Sequence, residues 1–178
     1  MSANRPLLAP ADFKGLRMRV QASRVIAAQM RALGAQPVTL GFSETRRALA
    51  QGVVDGTENP VSNFWTQNMH EVQSDLTLTQ HGYLGYAVIT NQRFWNSLAD
   101  DDRALLTQAM HEATDYGNQI ADAQNSKSLA ALREAGTTRI HPLSATQRTS
   151  LRRAVESVHL ALERRIGTAW MDAVRGAL

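Results

Sequence analysis

The chain has 178 residues, of which 43% are hydrophobic and 20% charged. That length suits one domain with a sizeable core, and the composition is too apolar for disorder. No apolar run approaches the ~20 residues of a membrane-spanning helix, and the absence of cysteine excludes disulfides, thiolate zinc sites and cysteine nucleophiles. The net charge is only +3, and among the basic residues Lys14 and Lys127 alone are lysine. The arginines interleave with acids, and aromatics make up 6%. This pattern argues against a nucleic-acid partner, which needs a basic patch and stacking rings. It suits carboxylate ligands, which arginine holds with two parallel hydrogen bonds. The opening Met1 to Pro10 has no apolar signal-peptide core. Two expectations follow: a cytoplasmic chain, or one given without its natural start.

The elements read clearly in chain order. Leu16 to Val20 alternates as a short strand. Ser23 caps a helix through Leu33, and Gly34 stops it. Pro37 to Phe42 is a second strand. Ser43 caps a short helix ending before Gly52, and Val53-Val54-Asp55 is a third strand. Asn59-Pro60 places an N-cap before a proline at the first helical position, for a helix to about Glu71. Leu76 to Thr79 and Tyr83 to Thr90 read as strands. Asn91 opens a short helix carrying Phe94 and Trp95. Asp100-Asp101-Asp102 then start a long helix to Gly136, with Leu105, Ala109, Ala113, Tyr116 and Ile120 in its pattern. Its length predicts a bend or a span across two lobes. Ile140 to Leu143 is a last strand. Ser144 and Gln147 form a capping box for a helix with Leu151, Val155, Val158 and Leu162 on one stripe. Gly167 breaks it before a short final helix holding Trp170.

Strand followed by helix, repeated along the first 71 residues, predicts an α/β fold with a mainly parallel sheet. Ligands in such sheets sit beyond the carboxyl ends of the strands. That rule selects Arg19 and Val20, Phe42 and Ser43, and Asp55 to Asn59. Arg17 and Arg19 share a sheet face. Arg19 either holds a carboxylate or belongs to a solvated polar face. Asn59 caps a helix, and its amide is also free to meet an anion. Phe42 floors a pocket or packs in the core.

Other motifs carry less. His111-Glu112-Ala-Thr-Asp115 resembles a zinc helix with the second histidine replaced and no third ligand. Asp55-Gly-Thr-Glu58 lacks the oxygen spacing of a calcium loop. The arginines from Arg148 to Arg165 are interrupted by Glu156 and Glu163 and read as a solvated helix face. No Ser-His-Asp order, nucleophile elbow or glycine-rich phosphate loop is present. The chain is therefore read as having no catalytic residues, no metal and no cofactor.

Several blocks together resemble a known family. The run from Asp55-Gly-Thr-Glu-Asn-Pro60 through Phe64-Trp65 to Gln73 is similar to the signature of DctP-type solute-binding proteins of TRAP transporters. So are Leu76 to Asn91, with Phe94-Trp95 after it, Pro10 to Val20, Phe42-Ser-Glu44 and Ala48-Leu49. The block His81-Gly-Tyr-Leu-Gly-Tyr86 most resembles the C4-dicarboxylate branch, whose ligands include malate, succinate and fumarate.

The resemblance implies a non-enzymatic periplasmic protein that captures a small organic acid and delivers it to a permease of one small and one large membrane subunit. It implies a periplasmic-binding-protein-like lobe with a long lobe-crossing helix, in a truncated two-lobe receptor. Residues 1–84 and 125–178 would form the second lobe, and residues 85–124 a piece of the otherwise missing first lobe. Arg19 matches the arginine that pairs with the ligand carboxylate. Asn59 matches the asparagine that hydrogen-bonds the same group, Phe42 the aromatic pocket wall, and His81 a position close to the cleft. One departure is Arg46, where members often carry an aromatic. Without a partner lobe, Arg19 is expected to stay hydrated, and an unpaired Tyr83 to Thr90 edge is expected to favour self-association. Two other classes stand beside this reading: a stand-alone oligomeric interaction or regulatory module built on the lobe, and an α/β enzyme, which lacks an acid, base, nucleophile or metal set.

Overall fold

The computed structural model describes residues 1–176. Six strands form one sheet in the order β3-β2-β4-β1-β5-β6. They are β1 (Ser2–Ala3), β2 (Arg17–Val20), β3 (Gln36–Thr39), β4 (Gly56–Thr57), β5 (Asp75–Leu78) and β6 (Arg139–Pro142). Strand β2 runs parallel to β3 and β4, and β5 parallel to β6. The two-residue β1 is antiparallel to both β4 and β5. Five strands therefore share one direction, and their carboxyl ends lie along one edge of the sheet.

Register explains which side chains face together, because paired residues share a face. Met18, Val20 and Ala3 point to one side, where they join Leu7, Phe13 and Met30 in a core. Helices α1 (Arg24–Ala32) and α7 (Glu156–Ile166) cover that side. Val38, Leu76 and Ile140 point to the other side, packing with Phe64, Met69 and Leu132 under α2 (Thr45–Ala50), α3 (Val61–Thr66) and α5 (Asp100–Ala135). Arg19 is paired with Val38 and Thr57, so it lies on this second face.

The third strand is Gly56–Thr57 rather than Val53 to Asp55. Val53 is half exposed and Val54 is buried against the core. Gly56 is required there: a Cβ would lie 2.3 Å from the Ser2 carbonyl oxygen and 2.7 Å from Met18 Sδ. The pairing of β1 with two central strands is what creates this close approach.

Several caps form as predicted. Ser23 Oγ accepts from Ile26 N–H at 3.3 Å, and Asn91 Oδ1 from Arg93 N–H at 2.8 Å. Ser144 and Gln147 exchange the two bonds of a capping box. The helix after Pro60 differs. It stops at Thr66, turns through Asn68 in a left-handed conformation (φ 52°) and resumes as a 3-10 turn at Met69–Glu71. Pro60, not Asn59, occupies its N-cap, and Ser62 N–H instead donates to Asn125 Oδ1 of α5 at 3.1 Å. The stripe after Ser144 likewise divides into α6 (Ala145–Ala154) and α7, with α8 (Thr168–Gly176) following.

Helix α5 runs 36 residues without a break, about 54 Å at 1.5 Å per residue. Only Ser128 and Leu132 of it are buried. Leu105 and Tyr116, expected on an apolar stripe, are exposed, as is α4 (Gln92–Ser97) apart from Trp95. Tyr83 to Thr90 is not a strand among the described residues. Its β-forming side chains find no neighbouring strand among the described residues, and Tyr83, Tyr86, Val88 and Ile89 stand in solvent.

Candidate functional site

Arg19, Phe42, Asn59 and His81 all lie at or just beyond the carboxyl ends of β2, β3, β4 and β5. Parallel pairing is the reason, since it brings four distant junctions to one edge. Arg19 is the penultimate residue of β2. Its Nε and Nη2 donate to the Leu40 carbonyl oxygen at 3.1 and 2.9 Å. Its Nη1 is buried with no hydrogen-bond partner among the described residues. The expected hydration of Arg19 is not found, because the residue is 1% exposed. The guanidinium lies against the Leu40 carbonyl and the Phe42 ring of its own chain. Burial lowers the pKa of the guanidinium and the charge of Glu58 works the other way, yet arginine remains a cation.

The consequence is chemical. One edge of the guanidinium is fixed by a neutral carbonyl, which aims the other edge. Both Nη1 hydrogens and one on Nη2 remain for an acceptor, in the planar fork that matches a carboxylate. A buried donor without a partner costs about 1–3 kcal/mol, so an incoming acceptor gains by relieving that cost.

Phe42 opens the 3-10 turn Phe42–Glu44, and its ring centroid lies 5.9 Å from Arg19 Cζ. It is partly buried against the second core. It thus serves both as packing and as an aromatic flank of the cation. Asn59 does not cap its helix. Its Nδ2 donates to Thr57 Oγ1 at 3.0 Å and lies 3.6 Å from Met69 Sδ.

His81 follows Gln80, whose left-handed backbone (φ 47°) ends the strand direction. Its Nδ1 is 2.7 Å from Thr79 Oγ1, and its Nε2 is 3.4 Å from Glu58 Oε2. His81 therefore meets the loop that carries Asn59 through Glu58.

Four participants escaped the sequence reading. Thr57 and Glu58 sit inside the Asp55 to Asn59 junction that the sheet rule selects, but neither is singled out there as a site residue. The Leu40 carbonyl has no side-chain signal. Arg148 of α6 sends Nη1 to the Thr79 carbonyl oxygen at 3.2 Å, so one arginine of a face read as solvated touches this edge. The zinc-like His111, Glu112 and Asp115 lie on the exposed part of α5, far in sequence from these junctions. Among the described residues, no cluster of three or more potential ligands is arranged to hold a metal.

The other arginine of β2 behaves differently. Arg17 Nε and Nη2 donate to Asp55 Oδ2 and Oδ1 at 3.0 and 2.7 Å, and Nη2 also donates to the Gly52 carbonyl oxygen. It makes a closed pair with a carboxylate of its own chain.

An α/β lobe with a buried, half-partnered arginine at the carboxyl edge of its parallel strands belongs to the periplasmic-binding-protein kind. The comparisons agree and narrow it. The chain belongs to bacterial extracellular solute-binding protein family 7, the DctP family, whose description matches residues 1–165. That is a family of binding proteins of transporters, not of enzymes. The C4-dicarboxylate-binding periplasmic protein DctP of Rhodobacter capsulatus is 51% identical over 177 residues, covering 99% of this chain and 53% of that protein. A TRAP periplasmic solute-binding protein of Shewanella oneidensis, solved with succinate, matches with a TM-score of 0.91 at 37% identity, covering 97% of this chain and 56% of that one. One from Pseudomonas aeruginosa, solved with L-malate, gives 0.82 at 39% identity over 88% of this chain and 55% of that one. The chain spans about half the length of the curated relatives it matches.

Proposed function

We propose that this chain is the carboxylate-holding lobe of a periplasmic TRAP solute-binding protein for C4-dicarboxylates such as succinate or malate. The observation that carries the reading is the Arg19 guanidinium: buried, aimed by the Leu40 carbonyl, with Nη1 unpartnered. Arg19 anchors one ligand carboxylate, Asn59 orients it, Phe42 walls the pocket, and His81 with Glu58 borders it. The relatives named for C4-dicarboxylates and the neighbours solved with succinate and L-malate support the ligand class.

Residues 1–84 and 125–178 form one lobe in this reading, and residues 85–124 belong to a second. The exposure of Tyr83 to Ile89 and of the first turns of α5 supports this division. So does the span of about half the relatives' length. Capture ends with hand-over of the acid to the membrane permease, through no covalent step.

The physics of the site fits capture and release. A carboxylate arriving at Arg19 exchanges water for fixed donors in a site already dry, where a charged pair is stronger than at a surface. Titration of the purified chain with succinate, malate and fumarate tests the reading. Saturable binding that Arg19→Ala abolishes is expected. Binding indifferent to Arg19→Ala would overturn the assignment of the anchor.

A further inference from the structure

Thr57 is the register partner of Arg19 in the parallel β2–β4 pair, so the two side chains leave the sheet on the same face. It is 1% exposed. A hydroxyl has one donor and two acceptor sites, so it can serve either end of a neighbouring amide. In the arrangement observed, Asn59 Nδ2 faces Thr57 Oγ1 at 3.0 Å and Met69 Sδ at 3.6 Å. Both amide hydrogens thereby meet buried side chains, which leaves Oδ1, an acceptor, as the end of the Asn59 amide without a protein donor among the described residues. An acceptor repels a carboxylate and suits a hydroxyl. A half-turn of the amide reverses this: Nδ2 then faces the ligand, and the Thr57 O–H donates to Oδ1. The Met69 thioether only accepts, so it supports the first orientation and not the second.

Resting on the reading of Asn59 as a ligand contact, we propose that Thr57 is a positioning residue whose hydroxyl lets the Asn59 amide reverse. The same side chain then donates to a ligand carboxylate or accepts from a ligand hydroxyl. Thr57 thereby sets the preference between a plain C4-dicarboxylate and its 2-hydroxy counterpart. Removing the hydroxyl leaves Met69 Sδ as the inward partner and fixes Oδ1 outward.

The test titrates the full chain, unaltered and as Thr57→Val and Thr57→Ser, with succinate and with malate. Thr57→Val is expected to weaken succinate about tenfold and malate about threefold, so the malate-to-succinate affinity ratio rises. Thr57→Ser, which keeps the hydroxyl, should leave both within about twofold. Equal losses for the two acids, or no loss for succinate, would overturn the proposal, since a purely structural threonine would not move the ratio. Should Thr57→Val fail to fold, NMR of the Asn59 side-chain amide in the unaltered chain decides. The proposal requires those protons to shift when succinate is added, and stationary resonances refute it. If the unaltered chain binds neither acid, the functional reading falls and this proposal with it. If it binds both with a ratio independent of Thr57, only this proposal falls.

Discussion

The two edges of the sheet treat arginine in opposite ways. At the amino edge, Arg17 closes on Asp55, and Arg139 and His141 close on the fully buried Asp75. At the carboxyl edge, Arg19 lies beside the Phe42 ring, donates among the described residues only to a backbone carbonyl, and leaves Nη1 unpartnered. Glu58, the nearest acid to Arg19 by its electrostatic effect, is engaged by His81 instead. The residue type is the same, and the strand is the same. Whether the chain supplies a carboxylate decides whether an arginine closes within the fold or keeps the unpartnered edge that the proposed function assigns to a ligand.

The largest effect should come from the carboxyl edge. Arg19→Ala is expected to weaken dicarboxylate binding by about a hundredfold or more, because it removes a charge-assisted bidentate contact in a dry site. Calorimetric titration reads this directly. The same change relieves an unpartnered donor but empties a buried volume and strips the Leu40 carbonyl of two donors, so a moderate fall in the thermal midpoint should accompany the loss of binding. A collapse of stability with binding retained would erase the distinction between the edges.

The amino edge should answer in the other currency of measurement. Asp75→Asn is expected to cost about 2 kcal/mol of stability and leave affinity unchanged. Burial by itself raises the Asp75 pKa, but hydrogen bonds from Arg139, Ser74 and His141 and the charge of Arg139 outweigh it and hold the carboxyl at about 2. The folded value lies below the unfolded one, so the stabilisation is full at neutral pH. It is lost as pH falls from about 5 towards 2. Thermal unfolding between those limits should show that loss in the unaltered chain and a flatter profile in Asp75→Asn. Identical profiles would contradict the role given to this cluster.

Arg17→Ala should give a smaller stability loss than Asp75→Asn and no change in affinity. Its pair with Asp55 is partly exposed, with side-chain exposures of 43% and 32%, and exposed pairs are screened. A binding defect in Arg17→Ala as large as in Arg19→Ala would break the comparison. The finest contrast is the shift in malate-to-succinate ratio expected of Thr57→Val.

Much of this was legible from the residues. The β2 alternation, the Ser23, Asn91 and Ser144 caps and the length of α5 follow from local chemistry, and each formed as read. The edge that gathers Arg19, Phe42 and Asn59 followed from strand–helix alternation alone. Other features depend on partners distant in sequence. Strand β1 is two residues long and carries no periodic signal, yet it sits between β4 and β5 and forces Gly56. Asn59 looked like a cap because its neighbours matched one. Thr57 and Met69 take its amide, and Asn125 from α5 serves the helix start instead. Tyr83 to Thr90 has strand composition, but composition cannot supply the neighbouring strand. Arg17 and Arg19 share a face by pattern and the carboxyl-end rule singles out Arg19, but the closed pair of Arg17 depends on the distant Asp55.

The central claim is that Arg19 is a carboxylate anchor, and Arg19→Lys probes it most directly. Lysine preserves the charge and loses the planar fork. Calorimetric titration of the unaltered chain and of Arg19→Lys with succinate should show saturable binding in the first and about tenfold or greater weakening in the second. Equal affinities in the two proteins would show that the free edge of Arg19 is not what holds the acid.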